Sequence, residues 1–287
     1  MDSLFAQQLE SIVSGRIGLI LVIALAVSAT FAGIFRFTLA RSRAAGLGYL
    51  GVPAGLLAGF ALFLGPPPIL STDPLHLIFS VVLLGLIAGV AIDIFSDVDV
   101  MRLAVVLGWP AFVVVAIGWR EMPDFATISG LPMAVLWFAA VLAYLWSGSE
   151  HTVRSAPIIV LLAVTIGLGL TAYLGGSKIL TMLSAILASS FVGVLAWSWP
   201  TARFPFGATA NLGAAGSVLA IAVAQVLYSN ARVEAVALLM LTFAMAPLAA
   251  RLPFGRNQTA GPIVLLIMCA LPVAAATAAA LYTNGSW

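Results

Sequence analysis

The one dense acidic cluster in the chain is Asp93, Asp97 and Asp99 with Arg102 behind them, in the stretch Ala91-Ile-Asp-Ile-Phe-Ser-Asp-Val-Asp-Val-Met-Arg102. Carboxylates this close together can do two kinds of chemistry. They can take up and release a proton or a cation, as a coupling site in transport does, or they can hold magnesium against the diphosphate of a lipid-linked substrate. If one helix runs through the stretch, Asp93 and Asp97 share a face at i and i+4, and Asp99 and Arg102 can pair at i and i+3. Asp93 lies deepest in an apolar run, where an ionisable side chain is a functional candidate in its own right. A carboxylate near a helix C-terminus meets the negative end of the macrodipole, so a positive partner is expected beside it. Arg102, an arginine of the loop holding Arg36, Arg41 and Arg43, or a bound cation would serve. The plain alternative is a helix end at the membrane interface, neutralised by Arg102.

The elements that must position these acids follow from where charge is missing. Cutting the chain at its charged residues leaves ten charge-free stretches: Ile17 to Phe35, Ala44 to Thr72, Pro74 to Ile92, Leu103 to Trp119, Phe125 to Ser149, Ser155 to Ser177, Ile179 to Ala202, Phe204 to Ala231, Ala235 to Ala250 and Asn257 to Trp287. A hydrocarbon core about 30 Å thick is crossed by roughly 20 apolar helical residues, so each stretch is a candidate span. The expected fold is all-α, a polytopic integral membrane protein of about ten transmembrane helices arranged as five hairpins. Residues 1-16 are expected to form an interfacial N-terminal segment, with the first helix retained, and residues 17-287 a single transmembrane helical domain.

Composition supports that class, since 63% of residues are hydrophobic and 8% charged, against about 25% charged in a soluble domain. Arg36, Arg41, Arg43, Arg102, Arg154, Arg203, Arg251 and Arg256 fall in one set of loops, and Arg16, Arg120, Lys178 and Arg232 in the other. The positive-inside rule makes the first set cytoplasmic and places both termini outside. An alanine-rich chain with one lysine among its basic residues has a bacterial composition, so the expected location is a cell inner membrane. The net charge of +2 is read as a topology signal, with no nucleic-acid partner.

Packing signals are plain. Gly51, Gly55 and Gly59 recur at four-residue spacing in the second span, as do Gly85 and Gly89 in the third, and small residues one turn apart let helix backbones approach closely. These two helices are expected to pack face to face. Asn211 and Gln225 in the eighth span are candidates for a polar path, with hydrogen bonding between helices as the alternative. Arg203-Phe-Pro-Phe-Gly207 and Arg251-Leu-Pro-Phe-Gly255 form an internal echo that could mark a duplicated unit.

Cys269 is the one cysteine, and the two histidines, His76 and His151, fall in different loops. No multi-cysteine metal site is available, and no cofactor is expected. Glu150, His151 and Arg154 form a compact polar loop without a recognisable nucleophile arrangement. The expected function is a membrane transporter or permease for a small or amphipathic solute, proton- or cation-coupled through the acidic group, and more in keeping with a non-enzyme. The alternatives are a membrane-embedded enzyme acting on a lipid-linked substrate at the cytoplasmic face, and a non-catalytic subunit of a membrane complex. The expected partners are the lipid bilayer, a small-molecule or lipid substrate, and either further copies of the chain or a partner membrane subunit. Prenyltransferases also carry spaced aspartates, but they need a second aspartate-rich loop that nothing else in the chain supplies, so no family is assigned.

Overall fold

A computed structural model describes residues 2–38, 43–67, 73–95, 99–119, 155–199, 204, 206–252, 254–255, 257 and 259–284. Among them the chain is helical, with no strand. The helices are α1 (Asp2–Thr38), α2 (Gly51–Leu64) entered through a tighter 3-10 segment (Arg43–Leu50), α3 (Pro74–Phe95) and α4 (Asp99–Gly118). They continue as α5 (Ala156–Leu174), α6 (Lys178–Ser198), α7 (Thr209–Tyr228), α8 (Val233–Arg251) and α9 (Ala260–Asn284).

Eight helical stretches are long and apolar enough to cross a membrane: Gly15–Thr38, Leu47–Leu64, Leu75–Phe95, Ala156–Leu174, Lys178–Ser198, Thr209–Tyr228, Val233–Arg251 and Ala260–Tyr282. The chain is an all-α, multi-pass membrane protein. α4 covers the fourth expected span, and its described apolar run is the shorter Gly108–Gly118. The fifth expected span, Phe125 to Ser149, lies outside the described residues, as do Glu150, His151 and Arg154. The expected count of ten therefore stands at eight among the described residues.

Local chemistry sets the turns. Gly176 adopts a φ of 76°, a conformation that costs glycine nothing sterically, and it reverses the chain between α5 and α6. Ser177 then opens α6 by accepting a hydrogen bond from the Leu180 N–H, as a serine at a helix start commonly does.

The two ends of the bundle can be told apart by contacts. At one end the Arg36 guanidinium lies 5.1 Å from the Trp197 ring centroid, and Tyr49 meets Phe206 edge-on with centroids 5.4 Å apart. At the other, the Tyr228 hydroxyl donates to the Ile117 carbonyl at 2.8 Å, and Gly175 abuts the backbone of Ala231.

Sequence neighbours do pack, in the pairs α1/α2, α5/α6 and α8/α9. The most extensive packing of α1, however, is along α6, where the Ser28 hydroxyl donates to the Ser190 carbonyl 162 residues on and Trp197 Nε1 donates to the Ala29 carbonyl at 2.8 Å. Interhelical hydrogen bonds in membranes average about 0.6 kcal/mol, so close packing must supply most of the cohesion.

The glycine stripes provide that packing with partners other than those expected. A Cβ on Gly55 would lie 2.5 Å from Ser190 Oγ and 2.7 Å from the Ala24 carbonyl oxygen, Gly51 meets the Ser28 carbonyl, and Gly59 meets Ile186. The α2 stripe thus admits α1 and α6. Gly85 and Gly89 face the first turns of α7, against Leu212 and Thr209. α2 and α3 do touch, through Phe60 against His76 and Phe79, but their glycines make two separate close approaches to other helices, because a small-residue stripe specifies how near a backbone can come and not which one.

α7 is the central element, with 78% of its apolar window buried, whereas α1 and α9 bury 22% and 28%. The outer helices turn residues such as Val22, Ile267 and Leu271 outward, as helices bathed in lipid chains do. Within the internal echo the surroundings differ: Phe204 is 5% exposed while Leu252 is 42% exposed. Matching positions at the two helix entrances therefore occupy unlike surroundings.

Candidate functional site

α3 carries Gly85, Gly89 and Asp93 at successive four-residue steps, which puts all three on one face of the helix. That face lies along the start of α7. A Cβ on Gly89 would sit 2.6 Å from Thr209 Cα and 3.0 Å from Thr209 N, so only a glycine lets the two backbones come this near. One turn further along, the Asp93 side chain reaches the same segment. Its Oδ1 accepts from the Ala208 N–H at 2.9 Å, and its Oδ2 accepts from the Thr209 N–H at 2.9 Å.

This is a helix N-terminus capped from a different helix. The first N–H groups of any helix lack intrahelical acceptors, and the macrodipole places about half a positive charge there. Asp93 meets both needs at once. The start of α7, 115 residues away in sequence, is thus a positive partner for this acid. Bonds from N–H donors to a carboxylate are charge-assisted and roughly twice as strong as neutral ones.

The capped segment is wound unusually. From Thr209 to Ala215 it is a π-helix, passing into a regular α-helix at Gly216. The Gly216 N–H reaches back to the Asn211 carbonyl, five residues away, as well as to Gly213. Six of the nine residues from Thr209 to Ser217 are Gly, Ala or Ser, so little side-chain bulk resists the wider winding, and the Ser217 hydroxyl also bonds to the Gly213 carbonyl at 2.5 Å. π-helical turns are rare and occur often at functional sites.

Two polar atoms at this junction lack partners. Thr209 is fully buried and its Oγ1 meets no hydrogen-bond partner among the described residues; the buried Trp109 Nε1 on α4 is in the same position. Trp109 packs over the two glycines that bracket the junction, since a Cβ on Gly85 would meet its ring and one on Gly216 would lie 2.5 Å from Nε1. Pro53 of α2 approaches Gly213 from another direction. An unpaired buried polar group costs about 1–3 kcal/mol, and Ser155, Ser184, Ser198 and Thr242 are in the same position elsewhere in the bundle.

The other expected site residues are placed differently. α3 is described as far as Phe95, and Asp97 lies outside the described residues. Asp99 opens α4 with Arg102 in its first turn. Asn211 lies within the π-helical turns, where its Nδ2 donates to the Gly207 carbonyl at 3.0 Å. Gln225 is fully buried and pairs with α5: its oxygen accepts from the Thr171 hydroxyl at 2.7 Å and the Ala172 N–H at 3.0 Å, and its nitrogen donates to the Leu168 carbonyl. The Gln225 amide is satisfied by α5, and the Asn211 amide donates within its own helix.

Sequence reasoning singled out Asp93 and both α3 glycines, but missed Ala208, Thr209 and Trp109. Backbone donors carry no sequence letter, and a threonine or tryptophan in an apolar span gives no signal by itself. Among the described residues, no three His, Cys, Asp or Glu side chains gather into a metal-binding group. The chain matches no family model, and no curated protein or solved structure shows significant similarity to it.

Proposed function

We propose that the chain is a membrane transporter for a small or amphipathic solute, with the junction of α3 and α7 as its gate. The observation that carries this reading is the irregular start of the central helix, where the Ala208 and Thr209 N–H groups bond to the Asp93 carboxylate of another helix. Irregular backbone at membrane depth is tolerated where it is enclosed by protein or lines a cavity, and in transporter folds interrupted helices of this kind form the substrate site. A proton on Asp93 would turn one accepting oxygen into an O–H donor aimed at a backbone N–H, which loosens the cap. Proton uptake and movement of α7 would then be one event. The lipid-enzyme reading gains nothing from this geometry, because both oxygens of the deepest acid already accept from backbone N–H groups.

The test begins with untargeted metabolite and lipid analysis of a deletion strain, followed by uptake of the accumulating or depleted solute into proteoliposomes. Uptake driven by a pH gradient, at least tenfold lower in Asp93→Asn, is expected. Uptake no faster than in protein-free liposomes, or magnesium-dependent turnover of a lipid-linked substrate, would overturn the reading.

We place the protein in a bacterial inner membrane with both termini outside the cytoplasm, on the eight-to-four division of basic residues. Cysteines introduced at Ser42 and Thr201 should be shielded from an impermeant external thiol reagent, while those at Ser71 and Ser286 should react. The reverse pattern would invert the topology.

A further inference from the structure

We infer that the end of α1 is a binding site for the headgroup phosphate of an anionic phospholipid, held by the Arg36 guanidinium against the Trp197 indole. The inference does not depend on the transporter reading, only on a chain that spans a bilayer.

The indole is fixed before any lipid arrives. Trp197 of α6 lies in a notch on α1 at Gly33, where a Cβ would come within 3.0 Å of its ring. Its Nε1 donates to the Ala29 carbonyl at 2.8 Å, and Phe37 meets the ring edge-on with centroids 5.9 Å apart. Arg36 stands over this platform, its Cζ 5.1 Å from the Trp197 centroid and 5.7 Å from that of Phe37. A cation over an aromatic face is attracted through the ring, which uses none of its N–H groups. Among the described residues Arg36 makes no hydrogen bond or ion pair. The nearby Thr38 hydroxyl donates to the Ile34 carbonyl at 2.8 Å, so the unused donors at this end of α1 belong to Arg36.

Position names the acceptor. Arg36 lies two residues inside the end of the apolar stretch Gly15–Thr38, at the level where hydrocarbon gives way to headgroups. Phosphate oxygens are the acceptors concentrated there, and a guanidinium matches a phosphate through two parallel N–H bonds. Beside it Ile34 and Phe37 face outward from α1, an apolar wall for the acyl chains of the same lipid. Charge selects the class of headgroup. By the loop division above, this end carries eight arginines against the four acids Asp93, Asp97, Asp99 and Glu150. A headgroup with net negative charge fits that excess, whereas a zwitterion brings an ammonium to it.

The test is native mass spectrometry of the full chain in a neutral detergent, titrated with phosphatidylglycerol or phosphatidylcholine. The wild type should retain phosphatidylglycerol at lower concentration than phosphatidylcholine. Arg36→Gln should raise the phosphatidylglycerol concentration needed by about tenfold, the loss of one charge-assisted contact. Arg36→Lys, which keeps a point charge without the planar fork, should fall between. Arg251→Gln is the control, since Arg251 is an exposed arginine of the same set of loops. Its loss should shift the titration by less than about twofold, as for one solvent-screened charge. Thermal unfolding in the same detergent without lipid shows that each variant is folded, and Arg36→Lys, with its cation still over the ring, carries the test should Arg36→Gln not fold. Unchanged retention in the Arg36 variants overturns the inference. Equal losses in Arg36→Gln and Arg251→Gln would reduce it to attraction by charge at large and overturn the site. Equal retention of both lipids by the wild type would overturn the choice of headgroup. Binding of inorganic phosphate in lipid-free detergent, with the same dependence on Arg36, would give the site to a free anion and overturn the lipid assignment.

Discussion

Replacing Asp93 by alanine should cost about 2–4 kcal/mol of stability, the loss of two hydrogen bonds to a charged group at roughly 1.5–3 kcal/mol each, reduced for partial solvation. Two N–H groups at the start of the central helix would be left without their acceptor, and the favourable placement of negative charge at a helix N-terminus would go as well. Asp93→Asn should fall between. The sequence alone suggests that the amide is a gentle change, since it keeps size and polarity. The geometry shows otherwise, because both carboxylate oxygens accept, and the amide must turn its NH2 toward either Ala208 or Thr209. One bond is lost and a donor faces a donor. Thermal unfolding in detergent should rank wild type above Asp93→Asn and Asp93→Asn above Asp93→Ala. Equal midpoints for all three would remove the carboxylate from any part in holding α7.

The second large effect concerns Gly89. Its prospective Cβ meets backbone on α7, with Thr209 Cα at 2.6 Å and the Ala208 carbonyl oxygen at 3.1 Å, and backbone cannot step aside as the tip of a side chain can. Gly89→Ala must force α3 and α7 apart by most of an ångström. Overpacking of this kind costs about 1–3 kcal/mol, and here it also stretches the Asp93 bonds one turn away. Gly108 on α4 is the control, since a Cβ there meets nothing within 4 Å. The same substitution at Gly108 should raise stability by about 0.5–1 kcal/mol through the better helix propensity of alanine. Opposite signs at the two glycines are the expected result, and a loss at Gly108 matching that at Gly89 would dissolve the argument from close approach.

Much of the fold could be read from the sequence for one reason: a charge-free run of about 20 residues has few other ways to be stable. The runs that became α1, α3, α5, α6 and α9 needed no further information. Asp93 and the α3 glycines were legible for a related reason, since an acid in an apolar run and a glycine every fourth residue are both conspicuous. Their joint meaning was also present, because 85, 89 and 93 continue one spacing, so the face that brings a backbone near also carries the acid to it. The identity of that backbone was not legible. It depends on α3 lying against a segment more than 100 residues later, and the groups Asp93 binds are N–H groups that every residue but proline possesses. The start of α7 was not among the partners expected for Asp93, which were Arg102, an arginine of the first loop or a bound cation, because side-chain charge is visible in a sequence and helix dipoles are not. The π-helical winding of 209–215 was hidden likewise, since Thr-Ala-Asn-Leu-Gly-Ala-Ala reads as ordinary small-residue helix. Gln225 shows a different limit: its polarity suggested a path, but only the position of Thr171 and Leu168 on α5 reveals that the amide is used up in packing.

The most direct measurement is hydrogen exchange at the backbone amides of Ala208 and Thr209 in the wild-type chain and in Asp93→Asn, resolved by residue. The cap requires both amides to be protected in the wild type, and at least one to exchange at least tenfold faster in the variant, while amides within α5 and α6 are unchanged. Amides at 208 and 209 that exchange equally fast in both chains would contradict a carboxylate that holds the start of α7.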